Sequence, residues 1–562
     1  MSDPQTNDQA RLGYDWARAL LDGFAGAGLR RVIASPGSRS TPLTLAALRH
    51  PDLDVRMIVD ERSAAFFALG LAKAENRPVA LIATSGSAIA NWAPAAVEAD
   101  MARVPLLLLS ADRPPELHDC GANQTMDQSR LFGVHARAFH ALPPPEARAD
   151  WLPAFAARAF NASRFPLPGP VHINIPLREP LTPAGPTPSG ASKAAPLIHT
   201  GRIAPDPGTV EQLGALLTGA GVIVCGPELL SAEARDAILA LARRLGAPVF
   251  ADLLSGLRFG APEDGAVLAH PDAVARKMPP FDWALRLGGA PVCRATSDWL
   301  RARRGATQIV VADGARPADP DRTATHVIHA DPALLCESLT GRAAPPAWAQ
   351  SLEKQDRAAA RAAEAACADD RPFEGALLRR LLAALPEATP VFLANSLTIR
   401  SAEWFAGRSA HAPKIFGNRG LSGIDGNLST ALGIACALGP GLAVLGDLAF
   451  LHDLNALALM KAGKLTVLLL DNRGGGIFDH LAQAALPEFE QGWITPQAYD
   501  PAAIAKGFGL RYIAAETTGA AVAAVLENLA AGGALVHVAI DRAASLARSR
   551  SFFASCQLET CS

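Results

Sequence analysis

The sequence predicts an α/β protein of three domains, each built on a parallel sheet flanked by helices. Short runs rich in Val, Ile and Leu alternate along the chain with longer stretches rich in Ala and Leu. This alternation is typical of parallel sheets covered by helices. The chain has 562 residues, of which 49% are hydrophobic and only 6% aromatic. A chain of this length exceeds one hydrophobic core, so several domains are expected.

Two segments interrupt the alternation and divide the chain. Residues 179–196 (EPLTPAGPTPSGASKAAP) are rich in Pro, Gly, Ser and Ala, which predicts an exposed linker. Residues 342–372 contain a Pro-Pro pair and then a charged, alanine-rich stretch at 355–367 that predicts a helix. The predicted domains are therefore 1–182, 197–342 and 373–545.

The composition excludes several classes of protein. Lys and Arg (52) nearly balance Asp and Glu (54), so no basic field is available for nucleic acid. Apolar runs such as 105–109 are far shorter than the roughly 20 residues of a membrane helix, and the amino end lacks a signal-peptide pattern. The eight cysteines form no CxxC pair, so neither a zinc site nor a disulfide framework is indicated. We expect a soluble, cytoplasmic protein without a membrane span.

The last predicted domain contains a βαβ unit whose strands are followed by polar residues. Apolar runs at 442–445 and 465–470 predict two strands, and leucines at every third position over 448–457 predict the helix between them. A right-handed crossover places the carboxyl ends of both strands at one edge of the sheet, where ligands of such sheets bind. Asp447 and Asn472 follow these two ends.

Asp447 and Asn472 predict a magnesium site. Neighbouring strands lie about 4.8 Å apart, so two side-chain oxygens can meet on one hard cation, and Mg²⁺ completes its shell with phosphate oxygens and water. Glycines at 474–476 let the backbone approach a phosphate, and we assign the third ligand to the carbonyl of Gly474. The helix that begins near Leu448 offers N–H groups to the same anion. Either element alone is also common as a helix cap or a turn, so the pair carries the prediction.

Several motifs resemble one branch of the thiamine-diphosphate enzymes. The GDL and DN of the βαβ unit resemble the GDG and NN of the thiamine-diphosphate signature, with Asp471 in place of one Asn. Other matching strings are SPGSRSTPLTLA (35–46), DERSAAFFALGLAK (60–73), TSGSAIAN (84–91), ADRPPELHDCGANQ (111–124), NSLTIR (395–400), NRGLSGIDG (418–426) and GGGIF (474–478). On these strings the chain resembles the 2-succinyl-5-enolpyruvyl-6-hydroxy-3-cyclohexene-1-carboxylate (SEPHCHC) synthase (MenD) family of menaquinone biosynthesis.

The resemblance implies a thiamine-diphosphate-binding fold with pyrimidine-binding, central and diphosphate-binding domains, in that order. It implies thiamine diphosphate with Mg²⁺ or Mn²⁺, held between the first domain of one chain and the last domain of another, and hence a homo-oligomer, either a dimer or a dimer of dimers. The implied reaction is decarboxylation of 2-oxoglutarate and conjugate addition of the resulting succinyl-semialdehyde carbanion to isochorismate, giving SEPHCHC.

Glu61 occupies the family's position for the acid that activates the cofactor. By its place alone, Glu61 opens a predicted helix after the apolar run 57–59, where the helix dipole favours an acid. Thiamine needs a carboxyl against its pyrimidine ring before it can lose the C2 proton. Apolar surroundings would raise the pKa of such an acid, so that it can share a proton there.

The implied substrates carry several carboxylates, which arginine binds in a bidentate way. The motif matches nominate as substrate-binding residues Ser38, Arg39, Arg113, Gln124, Arg294, Ser396, Arg400 and Arg419. Arg39, Gln124, Ser396 and Arg400 are assigned to catalysis together with Glu61. The cofactor contacts are assigned to Glu61, Ser422, Ile424, Asp447, Leu448, Asn472, Gly475, Ile477 and Phe478. In the central domain only Arg294 matches, because Ala295 stands where a second basic residue would fall.

Two alternatives remain open. The first is another thiamine-diphosphate-dependent 2-oxoacid decarboxylase or carboligase, which the arginine-bearing motifs disfavour because those enzymes handle less charged acceptors. The second is a non-catalytic protein on the same fold, which the joint presence of Glu61, Asp447 and Asn472 disfavours. A phosphate loop of the GxxxxGK[ST] type is absent from the sequence.

Overall fold

The computed structural model describes residues 4–184, 194–228, 230–262, 264–314, 317–409, 411–460 and 463–558. The described strands form three sheets in which all neighbouring strands run parallel. The predicted α/β class is therefore confirmed. Part of the predicted linker, residues 185–193, lies outside the described residues, as does the end of the tail at 559–562.

The first sheet has the strand order β2-β1-β3-β4-β6-β5. Its strands are β1 (Arg31–Ala34), β2 (Asp54–Met57), β3 (Val79–Ala83), β4 (Leu106–Asp112), β5 (Ala138–Ala141) and β6 (Pro170–Pro176). The helices along this part of the chain are α1 (Pro4–Ala27), α2 (Thr41–Leu48), α3 (Glu61–Glu75), α4 (Ser87–Ala90), α5 (Ala93–Met101) and α6 (Leu152–Ala162). Strands β3, β4 and β6 are buried at every residue, which explains their continuous apolar runs.

The second sheet has the strand order β11-β10-β9-β7-β8. Its strands are β7 (Gly221–Cys225), β8 (Val249–Ala251), β9 (Trp283–Leu287), β10 (Thr307–Val311) and β11 (His326–Ile328). The accompanying helices are α7 (Pro207–Leu216), α8 (Ala232–Leu245), α9 (Pro271–Ala275), α10 (Arg294–Ala302) and α11 (Pro332–Ser338). Ser231 caps the start of α8 by accepting from the backbone N–H of Ala234, and Gly246 ends the helix in the left-handed conformation.

The third sheet has the strand order β13-β12-β14-β15-β17-β16. Its strands are β12 (Pro390–Leu393), β13 (Lys414–Phe416), β14 (Gly441–Gly446), β15 (Leu465–Asp471), β16 (Arg511–Ala514) and β17 (Ala534–Ala539). The helices are α12 (Pro346–Ala366), α13 (Glu374–Ala384), α14 (Leu397–Phe405), α15 (Asn427–Leu438), α16 (Asp447–His452), α17 (Pro501–Gly507), α18 (Thr518–Leu529) and α19 (Arg542–Leu558). Helix α12 begins earlier than the predicted stretch 355–367, because a proline fits the first helical turn.

The predicted βαβ unit is confirmed with one difference. Strands β14 and β15 are parallel neighbours in the register Gly446 to Leu470. The connection is a short α-helix, α16, followed by a 3₁₀ helix at Leu454–Leu459, whereas one continuous helix was expected. The break falls at Asp453, whose buried carboxylate accepts hydrogen bonds from the N–H and the hydroxyl of Ser429. The backbone of Asp453, with φ of −124° and ψ of 34°, leaves the helical region at this residue.

The chain folds into two compact units. The first contains Met1–Thr200, Asn418–Gly439 and His452–Gly463, and the second contains Gly201–Gly417, Pro440–Leu451 and Lys464–Ser562. The three sheets fall within the three predicted sequence ranges, whose boundaries remain a proposal. None of the helices in the described part of the chain is long and apolar enough to cross a membrane.

Helices α3 and α15 pack against each other inside the first unit at two glycines. A Cβ on Gly70 would overlap the carbonyl oxygen of Thr430, and a Cβ on Gly433 would overlap the carbonyl oxygen of Phe67. The backbones of the two helices therefore approach more closely than any larger residue permits. Helix α3 carries Glu61 at its first position, so this packing also sets the position of the predicted activating acid.

We expect Gly70→Ala to lower the free energy of unfolding by about 1–3 kcal/mol, because the added methyl group overpacks the contact with α15. Gly13→Ala is the matched control, since Gly13 also lies in a helix of this unit and its added Cβ would lie 3.9 Å from Cγ of Pro42. Chemical denaturation of the full-length variants measures both effects. Wild-type stability of the Gly70→Ala variant would contradict the close packing.

Candidate active site

The carboxyl edge of the third sheet holds two buried oxygens without hydrogen-bond partners. Asp447 directly follows β14, and its side chain is 2% exposed. Asn472 directly follows β15, the neighbouring strand. Oδ2 of Asp447 and Oδ1 of Asn472 are both buried and accept no hydrogen bond. Because buried polar atoms are almost always paired, this arrangement fits a bound cation with oxygen ligands.

The electrostatic surroundings of Asp447 fit the same interpretation. Burial, together with the nearby charge of Asp471, raises the pKa of Asp447 to about 7. The backbone N–H groups of Leu448 and Gly474 act in the opposite direction by hydrogen-bonding the ionised carboxylate. A divalent cation would supply the missing positive charge and hold this carboxylate ionised.

Glycine is required in the loop after Asn472. Gly474 has φ of 134°, a conformation that other residues rarely adopt, and a Cβ there would overlap the carbonyl oxygen of Ile494. The N–H of Gly475 donates to that same carbonyl over 2.9 Å. Ile477 and Phe478 follow as half-buried residues of a 3₁₀ helix at Gly476–His480. The loop is therefore held close to the strand end that carries Asn472.

Asp471 has partners of its own in the third sheet. Its Oδ2 lies 3.2 Å from Nε2 of His537, and Nδ1 of His537 lies 2.9 Å from the hydroxyl of Tyr512. Its Oδ1 accepts from the N–H of Arg473 over 2.9 Å. The residue that departs from the NN signature is thus engaged by His537 and the loop backbone, which leaves Asn472 as the polar residue with an open oxygen.

Two more predicted residues lie at the start of α14. Ser396 has φ of 71° and immediately precedes the helix. Arg400, one turn into the helix, donates from Nη1 to the carbonyl oxygen of Ser396 over 2.8 Å. Both residues are half-buried. The hydrogen bond places the guanidinium of Arg400 over the first turn of α14.

The first sheet brings Arg113 and Gln124 together at Ser85. The hydroxyl of Ser85 accepts a hydrogen bond from Nη1 of Arg113 and donates one to the carbonyl oxygen of Gln124 over 2.9 Å. Nε2 of Gln124 donates to the carbonyl oxygen of Ser85 over 2.9 Å. Burial, and then the neighbouring charge of Arg39, lower the pKa of Arg113. Two cations therefore share one region at the carboxyl ends of the strands.

A buried polar network lies beneath this region. Asp112 accepts from the N–H of Arg113 and from Nδ2 of Asn174, both over 2.7 Å. Nε2 of Gln128 donates to Oδ1 of Asn174 over 2.8 Å, and Oε1 of Gln128 accepts from the N–H of Gly86. The network links the ends of β4 and β6 to the loops that carry Arg113 and Gln124, and so fixes those loops.

Ser38 is exposed in the loop before α2, and further predicted residues of the first unit lie around α3 and α15. Glu61 is half-buried and opens α3, which Asp60 caps by accepting from the N–H of Arg62 over 3.0 Å. The loop before α15 is held by Glu98, which accepts from the N–H groups of Gly420 and Leu421 over 2.9 and 2.7 Å. In this loop Arg419 and Ile424 are half-buried and Ser422 is exposed with φ of 62°.

Arg294 lies at the surface of the second unit. It is the first residue of α10, its side chain is 81% exposed, and it forms an ion pair with Asp298 one turn later at 3.3 Å. Within the described residues, the ion-pair partner of this exposed arginine is a carboxylate of its own helix. Its assignment to substrate binding remains a prediction without support from this position.

Three family models match the chain in succession. "Thiamine pyrophosphate enzyme, N-terminal TPP binding domain" matches residues 15–131, "Middle domain of thiamine pyrophosphate" matches 192–393, and "Thiamine pyrophosphate enzyme, C-terminal TPP binding domain" matches 402–540. A crystal structure of benzoylformate decarboxylase from Polynucleobacter necessarius superposes with a TM-score of 0.71 at 20% identity, covering 94% of this chain and 98% of that chain. At this identity the likeness shows the fold alone.

Curated relatives extend over almost the whole chain. The SEPHCHC synthase of Dechloromonas aromatica is 42% identical over 94% of this chain and 98% of its own length. The SEPHCHC synthase of Geobacillus kaustophilus is 40% identical over 95% and 96%. The chain belongs to the SEPHCHC synthase family. As a SEPHCHC synthase family member it is a thiamine-diphosphate-dependent enzyme, so the predicted fold, family and cofactor are confirmed.

In this SEPHCHC synthase family member, tertiary structure assembles the predicted residues into local groups. Asp447, Asn472 and Gly474 lie at one sheet edge. The carbonyl oxygen of Ser396 accepts a hydrogen bond from Arg400. Arg113 and Gln124 both hydrogen-bond to Ser85. The roles given to them remain predictions. Sequence reasoning did not single out the polar residues that hold these groups: Ser85, Asp112, Gln128 and Asn174. The signal for Ser85 was its place within the string TSGSAIAN, but its partners are distant in sequence.

We expect Asn174→Ala to lower the free energy of unfolding by about 1–3 kcal/mol, because Asp112 and Gln128 would lose buried hydrogen-bond partners. Asn161→Ala is the control, since Asn161 is half-buried near the end of α6. Chemical denaturation measures both variants at neutral pH. If both asparagines proved equally dispensable, the buried network would not hold these loops.

Proposed function

We propose that the chain catalyses the thiamine-diphosphate-dependent decarboxylation of 2-oxoglutarate and the conjugate addition of the remaining four-carbon unit to isochorismate, giving SEPHCHC for menaquinone biosynthesis. The relatives that match almost the whole chain carry this enzyme name. The observation that carries the proposal is the pair of arginines, Arg39 and Arg113, at the ends of the first sheet's strands. Substrates with several carboxylates require such a cationic site.

The cofactor's diphosphate would be held through a divalent cation at the edge of the third sheet. Asp447 and Asn472 each offer one buried unpaired oxygen, and we assign the third protein ligand to the carbonyl of Gly474. Mg²⁺ or Mn²⁺ suits this oxygen set. We assign the other cofactor contacts to Ser422, Ile424, Leu448, Gly475, Ile477 and Phe478.

The chain's own residues would bind, orient and move one proton. When bound, thiamine diphosphate supplies the carbon nucleophile and the electron sink for decarboxylation. Glu61 would hold a proton against the pyrimidine ring nitrogen. Arg39, Gln124, Ser396 and Arg400 would orient the reacting substrates, with Ser38, Arg113 and Arg419 as further contacts. Their role is positioning, which lowers the barrier by bringing the reacting atoms together.

We also propose that the protein is a homo-oligomer, either a dimer or a dimer of dimers, in the cytoplasm. The first unit leaves apolar side chains in water, with Val59 and Val134 each 79% exposed and Leu421 52% exposed. Exposed apolar side chains favour association where they form one contiguous patch. None of the cysteines within the described residues forms a disulfide, which is usual in a reducing compartment.

The decisive experiment mixes purified full-length protein with thiamine diphosphate, Mg²⁺, 2-oxoglutarate and isochorismate, and identifies the product by mass. We expect SEPHCHC, because the proposal requires both substrates to be joined. A parallel reaction without isochorismate measures decarboxylation alone. Release of carbon dioxide at an equal rate without any joined product would instead indicate a 2-oxoacid decarboxylase.

We expect Glu61→Gln to abolish most turnover, because general acid–base groups contribute about 10²–10⁴-fold and the amide cannot share a proton with the pyrimidine. Glu75→Gln is the matched control at the other end of α3, where Glu75 pairs with Arg31. Steady-state turnover and thermal melting are measured on both variants. Wild-type turnover by a correctly folded Glu61→Gln variant would refute this role.

We expect Asp447→Ala to weaken the binding of Mg²⁺ and thiamine diphosphate by at least about tenfold. The substitution removes the carboxylate, which is one of the two side-chain ligands assigned to the cation. Asp453→Asn serves as a control for a buried acid of the same connection that binds Ser429. Calorimetric titration of the cofactor, with Mg²⁺ present and with Mg²⁺ chelated, reads binding without turnover. Unchanged affinity in the Asp447→Ala variant would show that the cation does not bind at this edge.

A further inference from the structure

The guanidinium of Arg39 already has a carboxylate partner within its own chain. Arg39 is 5% exposed, and its Nη1 donates to the carbonyl oxygen of Leu177 over 2.8 Å. Its Nη2 donates to Oε1 of Glu179 over 2.7 Å. Its Nε is buried and has no hydrogen-bond partner. Arg39 is therefore fixed by the Leu177 carbonyl, neutralised by Glu179, and able to donate to one more acceptor.

The two members of this ion pair differ sharply in burial. The side chain of Glu179 is 69% exposed, against 5% for Arg39. A buried cation needs a counter-charge, whereas an exposed carboxylate loses little when it rotates into water, because water replaces its hydrogen bonds. Arg113 adds a second positive charge close to Arg39. Arg39 and Arg113 are permanent parts of this site, whereas the carboxylate of Glu179 can rotate away from Arg39.

We propose that Glu179 occupies the carboxylate position on Arg39 in the ligand-free protein and is displaced by the carboxylate of an incoming dicarboxylate. This inference rests on the proposed function, since it takes Arg39 as a substrate contact. Glu179 then sets the apparent affinity of the site. A ligand meets a competent Arg39 only in the fraction of molecules whose Glu179 has rotated away, and its apparent affinity falls by that fraction.

Glu179 also keeps the side chain of Arg39 ordered in the ligand-free protein. With Glu179 in place, the guanidinium stays paired and in the plane set by the Leu177 carbonyl, so a substrate carboxylate replaces one oxygen by another. No net charge has to be buried or exposed at the arginine when the substrate enters. Glu179 acts on binding and does not touch the reacting atoms. Its substitution should therefore change KM and leave kcat unchanged.

Glutarate is a suitable probe, because it carries two carboxylates and lacks the ketone that reacts. We expect Glu179→Gln to bind glutarate roughly two- to fivefold more tightly than the wild type, the range that exposed ion pairs contribute. The KM for 2-oxoglutarate should fall by the same factor, with kcat unchanged. Calorimetric titration of the full-length protein with thiamine diphosphate and Mg²⁺ present measures the affinity.

Glu116→Gln is the matched control. Glu116 is a nearby exposed glutamate that pairs with Arg178, the residue before Glu179, through contacts of 2.6 and 3.0 Å. It removes the same charge from the same region without freeing Arg39, so we expect wild-type glutarate affinity. An equal gain in both variants would reduce the effect to general electrostatics and overturn the proposal.

Arg39→Lys separates this inference from the proposed function. If Arg39→Lys weakens glutarate binding while Glu179→Gln leaves it unchanged or weaker, the displacement role of Glu179 is overturned and the anion site stands. If Arg39→Lys leaves glutarate binding unchanged, Arg39 is not a substrate contact, and both assignments fail. Weaker binding by Arg39→Lys with tighter binding by Glu179→Gln supports both.

Discussion

The parallel pairing of β14 with β15 is the constraint on which the candidate site depends. In the register Gly446 to Leu470, the two strands end at the same edge. The residues that follow, Asp447 and Asn472, each have one buried side-chain oxygen without a hydrogen-bond partner. A slip of the register would separate these oxygens and point alternate side chains to the other face. The buried apolar runs of both strands hold that register.

Buried polar groups organise the other half of the predicted site. Asp112, Gln128 and Asn174 satisfy one another beneath the loops that carry Arg113 and Gln124. A buried network of this kind stabilises one arrangement, because any other arrangement would leave a polar atom unpaired in the interior. Above it Arg39 is buried and held by the Leu177 carbonyl, whereas its counter-ion Glu179 is 69% exposed. The protein thus combines a fixed buried network with a counter-ion, Glu179, that a ligand carboxylate can replace.

Asp471 shows how a departure from a family signature is accommodated. A second carboxylate near Asp447 adds repulsion, which contributes to the raised pKa of Asp447. His537 and the N–H of Arg473 take the Asp471 carboxylate as their acceptor and hold it. The chain therefore carries an acid at this position and leaves the unpaired side-chain oxygen on Asn472.

The fold and the placement of Asp447 and Asn472 at one sheet edge could be predicted from the sequence. Strand runs, helical spacing and the order of these two residues are local patterns, and parallel topology makes the two strand ends neighbours. The cation assigned to this edge stays a prediction. The sequence strings also determined the family and the cofactor. Tertiary structure alone decided that Ser85 joins Arg113 to Gln124, that Glu179 neutralises Arg39 and that Arg294 stands in solvent. These contacts join residues far apart in the chain, and no local spacing specifies which distant polar groups meet when the core closes.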